Sequence, residues 1–425
     1  MLADPMTAAV QTGCEMSDVR TSTKTTGEEI GLSERSNLMP ASPIRKLVPY
    51  AEEAVRRGVT VYRLNIGQPD VRTPPEFLAA VRSFAEPVLA YGHSQGHPDL
   101  LATFSRYYKQ VGLDVPPEQI QITTGGSEAI LFALTTIANP GDEAIVFEPY
   151  YTNYTGFAVT AGVKLVPLAT DPKKGYHLPP IEKIEEKITE RTKAILICSP
   201  NNPTGTLLSR EEMAAVADLA KRRGLFVLSD EVYREFCYEE KHTSILEFEE
   251  IADRAILLDS ISKRYSACGA RVGCLVSRNP KIMDAALRMG QARLCSPTIE
   301  QIAAARVMGL PESYYTALTA EYRARRDAVV DRFNQIPGCF CHKPSGAFYF
   351  MGTFPVDDIE DFCEWMLTRF SYENQTVMMA PGPGFYASPG SGKNQARIAY
   401  VLEVDKLMQA MEVLKHGVEE YKETH

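Results

Sequence analysis

From about residue 119 onward, short apolar runs alternate with stretches whose apolar residues recur at helical intervals. "QIQIT" predicts a strand and "SEAILFALTTIA" a helix. "DEAIVFE", "TNYTGFAVTAG" and "VKLVPL" continue as strand, helix, strand. "IEKIEEKI" predicts an amphipathic helix, and "KAILICS" a buried strand. "SREEMAAVADLAKRRG" opens with Ser209 and places Glu212 three residues on, the reciprocal cap of a helix start. "LFVLSD", "RAILLDS" and "RVGCLVS" predict three further strands. Strands this continuously apolar are covered on both faces, so helices lie either side of a mostly parallel sheet and the fold class is α/β.

After about residue 310 the texture changes. "YYTALTAEYRARRDAVVDRFNQ" is one long helical pattern. "SGAFYFM", "VMMAPG" and "QARIAYV" are short strands between Gly/Pro turns, and "EVDKLMQAMEVLKHGVEEYK" closes the chain as a helix. This segregation predicts a smaller α+β domain. A length of 425 residues suits two to three domains, or one large and one small domain sharing a core.

Composition narrows the partners. Lys and Arg number 45 against 54 Asp and Glu, a net charge of −9, which argues against nucleic acid or an anionic membrane. No apolar run reaches the ~18 residues that span a bilayer. The nine cysteines form no CxxC pair, so buried reduced thiols in a cytoplasmic protein are expected. The first 35 or so residues lack periodicity, a basic start and an apolar core. They read as a mobile arm rather than a signal or transit peptide.

Ligands of open α/β sheets sit outside the carboxyl ends of the strands, so the residues there carry the chemistry. "QITTGGSEAI" follows a strand. Its glycines allow a sharp turn, and Ser127 and Glu128 offer helix N-terminal amides to an anion, though a plain tight turn explains the same residues. The tyrosines of "FEPYYTNY" suit either stacking on a flat ring or a core. In "CSPNNPTGT", Asn202 has an amide able to donate to a ring oxygen. "LSDEVY" places Asp230 and Tyr233 after the next strand. There the carboxylate either caps a helix or pairs with a buried cation. In "SISKRYSACGARVG", a desolvated Lys263 is a candidate amine nucleophile toward an aldehyde. Ser260, Ser262 and Arg271 suit a phosphate. Each residue alone has a structural explanation. Together, at successive strand ends of one sheet, they describe pyridoxal phosphate: a phosphate, a flat ring (Tyr151), a ring nitrogen (Asp230), a ring oxygen (Asn202, Tyr233) and an aldehyde (Lys263).

With these residues assembled, the chain resembles the class I/II aminotransferases of pyridoxal-phosphate fold type I, and most of all the bacterial aspartate aminotransferase group. The likeness runs over about residues 36–420. Its marks, in family order, are "NIGQPD", "YGHSQGHPDL", "TTGGSEAI", "SPNNPTG", "SDEVY", "SISKRYSACGARVG" and "ARIAYV". The resemblance implies that Lys263 is the Schiff-base lysine and proton shuttle. It implies that Asp230 keeps the pyridine nitrogen protonated, that Asn202 and Tyr233 hydrogen-bond the phenolic oxygen, and that Tyr151 stacks on the ring. Gly126, Ser127, Glu128, Ser260, Ser262 and Arg271 fall in the phosphate cup. Tyr91 resembles a tyrosine that reaches the neighbouring subunit's phosphate, which implies a homodimer. Arg397 matches the arginine that clamps the substrate α-carboxylate, and Gly67 the backbone contact beside it. The implied organisation is an arm over 1–35, the first part of the small domain over 36–75, a large cofactor domain over 76–310 and the rest of the small domain over 311–425.

Three departures stand out. An aromatic usual before the phosphate arginine is Ala270 here. A lysine that some bacterial aspartate aminotransferases carry after the glycine pair is Ser127 here. Arg293 lies near where other members place an arginine for the partner's distal carboxylate, and that role is weighed for it against a surface helix-end arginine. "GPGFYA" from Gly382 to Ala387 matches a dinucleotide-binding pattern, but Pro383 lacks an N–H and no helix is expected to follow, so the match is set aside. The expected activity is transfer of an amino group from an L-amino acid, aspartate foremost, to 2-oxoglutarate or a similar 2-oxo acid. A β-lyase and an aminocyclopropane-carboxylate-type synthase share nearly all the same residues and remain the alternatives. A cofactor-sensing regulator would need an N-terminal DNA-binding domain, for which the arm is too short and too polar.

Overall fold

A computed structural model describes residues 31–425. The arm expected over 1–35 falls mostly outside the described residues. Its end enters a short exposed helix, Glu34–Leu38, whose first turn is capped by the Ser33 hydroxyl. The strands in chain order are β1 (Thr60–Arg63), β2 (Ile120–Thr123), β3 (Glu143–Glu148), β4 (Lys164–Ala169), β5 (Thr192–Cys198), β6 (Phe226–Asp230), β7 (Ala255–Ser260), β8 (Gly273–Val276), β9 (Tyr349–Thr353), β10 (Gln375–Met378), β11 (Ala380–Pro381) and β12 (Gln395–Ala399).

Seven of them form one sheet in the order β2-β8-β7-β6-β5-β3-β4. Only β8 runs against its neighbours, so the sheet is mostly parallel, as the apolar runs predict. Successive side chains of a strand point to opposite faces. The sheet therefore divides its residues between two cores. Ala194, Leu196, Leu228, Ile256 and Leu258 pack on one face. Ile195, Ile197, Val227, Ala255 and Leu257 pack on the other. With both faces covered, no polar alternation is required, and every residue of β7 is buried.

The helix Arg210–Arg223 begins at the predicted reciprocal cap: Ser209 Oγ accepts from Glu212 N–H at 3.2 Å, and the Glu212 carboxylate accepts from Ser209 N–H at 2.8 Å. It ends at Gly224, whose φ of 68° is open to glycine at little cost. The helix expected from "IEKIEEKI" is shorter, Ile181–Glu185, because the chain turns at Thr189, whose N–H is taken by the Thr192 hydroxyl at the start of β5.

A second assembly stands beside the sheet. β11, β12 and β9 form an antiparallel sheet, β1 pairs in parallel with β10, and the long helices Glu312–Phe333 and Val404–Thr424 pack together. Its aromatic core, including Phe333, Phe348, Phe350 and Phe362, is continuous with the first face of the large sheet. The bend after β1 is pinned from both sides: Leu64 N–H donates to Met378 O, and Leu64 O accepts from Ala399 N–H. That ties residues 64–67 to the edge of β12. No described helix is long and apolar enough to cross a membrane.

Candidate active site

The carboxyl ends of β5, β6 and β7 open onto a cavity of about 270 Å³, close to the lower end of small-molecule sites. Asp230 ends β6, Ser260 ends β7, and Asn202 lies four residues past β5. The reversal of β8 matters here. Because β8 runs antiparallel to β7, Ser260 pairs with Gly273, and the residues just before β8, Arg271 among them, return to the same end of the sheet. Gly273 also pairs with Thr123, so one glycine is flanked by the strand before the Gly125-Gly126 turn and the strand that ends at Ser260. A Cβ there would lie 2.6 Å from the Gly125 backbone and 2.7 Å from Asp259 O, which requires glycine.

Arg271 adopts a left-handed conformation (φ 52°, ψ 47°) and donates from Nη1 to Cys268 O at 2.9 Å. Its guanidinium lies against Gly125, where an added Cβ would meet Nη2 at 2.2 Å. Ser260 Oγ and Ser262 Oγ are 2.8 Å apart, and Ser260 Oγ also donates to Val272 O. Gly126, Ser127, Ser260, Ser262 and Arg271 all line the cavity, so one end of it holds a guanidinium, three hydroxyls and a helix N-terminus.

Glu128 is the exception among the expected cup residues. The helix starts at Gly125, earlier than the apolar pattern indicates. As the fourth helical residue, Glu128 has an N–H within reach of the Thr124 carbonyl, leaving the free amides to Gly125, Gly126 and Ser127. Its carboxylate turns back to accept from Thr124 N–H at 2.7 Å, and Glu128 does not line the cavity.

At the cavity floor Asp230 is 8% exposed. Its Oδ2 accepts from Tyr154 Oη at 2.6 Å and its Oδ1 from Val232 N–H at 3.3 Å, and no cation pairs with it among the described residues. Burial pushes this carboxyl up to about 6, against the opposing pull of the Tyr154 hydroxyl. Tyr151 lines the cavity with its ring edge-on to Tyr154, and burial raises its phenol to about 12. Tyr233 Oη lies 2.9 Å from Tyr349 Oη. Lys263 Nζ donates to Gly67 O at 2.7 Å, sits 3.8 Å from Cys268 Sγ, and has no carboxylate partner among the described residues. Gly67 must be glycine, since a Cβ would fall 1.6 Å from Tyr349 Oη.

Arg397, on β12, is 2% exposed. Its Nη1 donates to Asn202 Oδ1 at 2.9 Å and its Nη2 to Asn65 O at 2.6 Å, while Nε has no partner. Tyr349 and Phe385 offer their ring faces at 4.6 and 5.0 Å. No carboxylate balances it among the described residues, and burial lowers its affinity for its own proton. Asn202 Nδ2 donates to nothing among the described residues.

Two expected residues stand apart from the cavity. Tyr91 is 80% exposed, beside the exposed Val88 and Leu89. Arg293 ends the helix Pro280–Arg293. Its guanidinium is engaged by Ser296 Oγ, by Ile122 O at 3.2 Å and by Glu128 at 3.6 Å, so within its own chain it is turned away from the site. The rejected pattern at Gly382 does lead into a short 3-10 turn, Gly382–Phe385, and not a helix. Residues to which the sequence reading gave no definite role also contribute. Tyr154 holds Asp230, Asn65 holds Arg397, and Tyr349, Cys268 and Arg45 line the cavity. Tyr154 lies three residues past Tyr151 and donates its N–H to the Tyr151 carbonyl at 2.9 Å in the turn that opens the helix Asn153–Ala161.

Known proteins resemble this chain in sequence and fold. Residues 59–414 match the family model "Aminotransferase class I and II". The chain is 31% identical over 383 residues to the aspartate aminotransferase of Thermotoga maritima, covering 90% of this chain and 97% of that one. It superposes on the alanine aminotransferase of Pyrococcus furiosus with a TM-score of 0.84 at 30% identity, covering 92% of this chain and all of that one. It superposes on the aspartate aminotransferase of Thermus thermophilus with maleate with a TM-score of 0.82 at 28% identity, again over 92% of this chain and all of that one. A family match across most of the chain, joined to a fold shared at full length, makes this protein a member of the class I and II aminotransferases.

Proposed function

We propose that this aminotransferase works with pyridoxal phosphate and moves the amino group of an L-amino acid, aspartate foremost, to a 2-oxo acid such as 2-oxoglutarate. The observation that carries the reading is Arg397: a guanidinium buried at 2% exposure, fixed by two neutral oxygens and lacking any acid among the described residues. A buried charge left unpaired is costly, and a substrate carboxylate supplies the missing partner in a bidentate fork.

The residues also fit the cofactor. Gly125 leaves room for the Arg271 guanidinium, which with the three hydroxyls and the helix N-terminus forms a cradle for a phosphate. Asp230, buried and without a cation, matches a protonated ring nitrogen. Asn202 Nδ2 and Tyr233 Oη would hold a ring oxygen, and Tyr151 would lie against a ring face. Lys263, the only lysine lining the cavity among the described residues, would take the aldehyde. Bound there, pyridoxal phosphate supplies a carbonyl that condenses with amines and a ring that accepts the electrons of a broken Cα–H bond.

The chain supplies the rest. Arg397 and the Gly67 N–H orient the substrate by its α-carboxylate. Lys263 Nζ, held beside the Gly67 carbonyl, would take the proton from the substrate Cα. Asp230, as an anion, keeps the ring nitrogen protonated. The assembly over 36–75 and 311–425 closes on the large domain and excludes water. Two such chains form a homodimer in which Tyr91, exposed in its own chain, reaches the partner's phosphate cradle.

The test is to incubate the loaded enzyme with aspartate and 2-oxoglutarate. Transamination yields oxaloacetate and glutamate in equal amounts. In a parallel incubation with cystathionine, which carries a thiolate leaving group on Cβ, release of ammonia, pyruvate and homocysteine would assign the chain to β-elimination. Borohydride reduction should fix the cofactor on Lys263 alone.

A further inference from the structure

The cavity brings two nucleophiles together. Lys263 Nζ and Cys268 Sγ are 3.8 Å apart, and both residues line the cavity. The proposed function, on which this inference rests, gives Lys263 the aldehyde and leaves the thiol without a task. Two of the eight described cysteines, Cys198 and Cys268, line the cavity. Cys198 is buried at the end of β5, its Sγ donates to Pro200 O at 3.4 Å, and burial pushes its thiol up. Cys268 is half-buried and has an amine as its neighbour. Partial exposure beside a basic group is the setting in which thiols react.

The backbone sets up the pair. After Lys263 the chain reverses on itself: Ser266 N–H donates to Lys263 O at 3.2 Å, and Ala267 N–H to Ser262 O at 3.1 Å. Ser266 takes a left-handed φ of 49°, an uncommon conformation for a residue with a side chain, and Arg271 takes another at 52°. The reversal returns Cys268, five positions on, to the lysine. Cys268 is then fixed from two sides. Its Sγ donates to Ser262 O at 3.2 Å, and its carbonyl accepts from Arg271 Nη1 at 2.9 Å. Lys263 is less confined. Its Nζ donates to Gly67 O at 2.7 Å, has no carboxylate partner among the described residues, and rides on a flexible stem. The thiol is held in place, and the amine can swing to it.

We propose that Cys268 and Lys263 form a peroxide-responsive covalent switch, in which a bond between Sγ and Nζ withholds the amine from the cofactor aldehyde. The chemistry balances in two steps. The Cys268 sulfur attacks hydrogen peroxide, the O–O bond breaks, and the sulfur is oxidised to a sulfenic acid as one water leaves. The Lys263 amine then attacks that sulfur. The S–N bond forms, the S–O bond breaks, and the hydroxyl departs with a proton of the amine as a second water. The two electrons given up by sulfur have reduced the peroxide. A small thiol reverses the link: one molecule attacks the sulfur and frees the amine, and a second displaces the first as a disulfide and restores Cys268. With the aldehyde attached to Nζ, the amine is already spent. The loaded enzyme therefore escapes the link, and the cofactor-free chain does not.

The test treats the full-length chain with hydrogen peroxide, then catalase, in two forms: loaded with pyridoxal phosphate and free of it. Wild type is compared with Cys268→Ser. Cofactor-free wild type should emerge about 2 Da lighter, for the two hydrogens lost, with Lys263 and Cys268 joined in the fragment spectra. Its uptake of borohydride-fixed cofactor should fall by at least about tenfold and return with dithiothreitol. The loaded form should acquire no link. Cys268→Ser, measured against its own untreated sample, should acquire none and keep its uptake. The inference is overturned if Cys268 only gains oxygens while Lys263 stays free, or if linked chains still take up cofactor. It is equally overturned if Cys268→Ser loses uptake as steeply as wild type, or if the link forms as readily in the loaded protein. The mass of treated wild type decides the matter even where the variant fails to fold. Failure of the underlying reading looks different: untreated wild type would take no borohydride-fixed cofactor, while the peroxide link would still register by mass.

Discussion

Replacing Asp230 by asparagine should make the cofactor-free protein more stable at neutral pH while weakening its hold on the cofactor. The carboxyl is buried with only the Tyr154 hydroxyl and the Val232 N–H as partners. Its value of about 6 in the folded chain stands above the ordinary 3.8. The folded state therefore binds this proton more tightly than the unfolded state does. The associated stability is fully present below about 3.8 and is lost as the pH rises through about 6. At about 1.36 kcal/mol per pH unit, the loss by about pH 8 is about 3 kcal/mol. Asparagine cannot ionise and escapes that loss, less about 1 kcal/mol where its amide faces the Val232 N–H in place of an acceptor. Urea titrations of the cofactor-free forms at about pH 8 and about pH 4.5 check this. The variant should have the higher midpoint at the upper pH, and most of the advantage should vanish at the lower. Cofactor affinity should move the other way, falling by about 2–5 kcal/mol because a protonated ring nitrogen would lose its buried anion. A midpoint difference that does not vary with pH would refute the electrostatic argument. Undiminished cofactor affinity would refute the role of Asp230.

Three further outcomes follow from the same geometry. Lys263→Ala should abolish the covalent adduct seen after borohydride and lower kcat by at least about 10²–10⁴-fold, measured in a single half-reaction. Arg397→Met keeps the bulk against Tyr349 and Phe385 but removes the charge. It should lower kcat/KM for every amino donor by about 2–5 kcal/mol, while thermal unfolding of the cofactor-free protein shows no loss, since no acid is orphaned. Gly125→Ala places a methyl 2.2 Å from Arg271 Nη2 on a backbone with φ of 73°, so it should weaken cofactor binding by at least about tenfold, read by titration of the cofactor's absorbance.

Much of this molecule is legible in its chain. Strands such as Ala255–Ser260 announce themselves because a sheet covered on both faces tolerates no polar alternation, and the acids, amides and hydroxyls that matter sit where those runs end. The reciprocal cap at Ser209 is equally local. What escapes is whatever depends on a distant partner. Glu128 reads as part of an anion site until the helix is seen to start at Gly125 and the carboxylate to fold back on Thr124. Arg293 reads either as a distal-carboxylate arginine or as a surface helix end, and only its contacts with Ile122 and Glu128 show how its own chain holds it. Asn65 acquires its meaning only through a contact more than three hundred residues away, to Arg397. No periodicity reports such contacts.

The solitary guanidinium on β12 also bears on how the enzyme is handled. A pre-formed receptor for negative charge does not wait empty in a salt solution. If Arg397 holds the substrate carboxylate as proposed, chloride, phosphate or acetate from the medium competes for it with every substrate, and apparent Michaelis constants should rise with the anion content of the buffer. Comparisons among donors, or among laboratories, carry meaning only when that content is held constant.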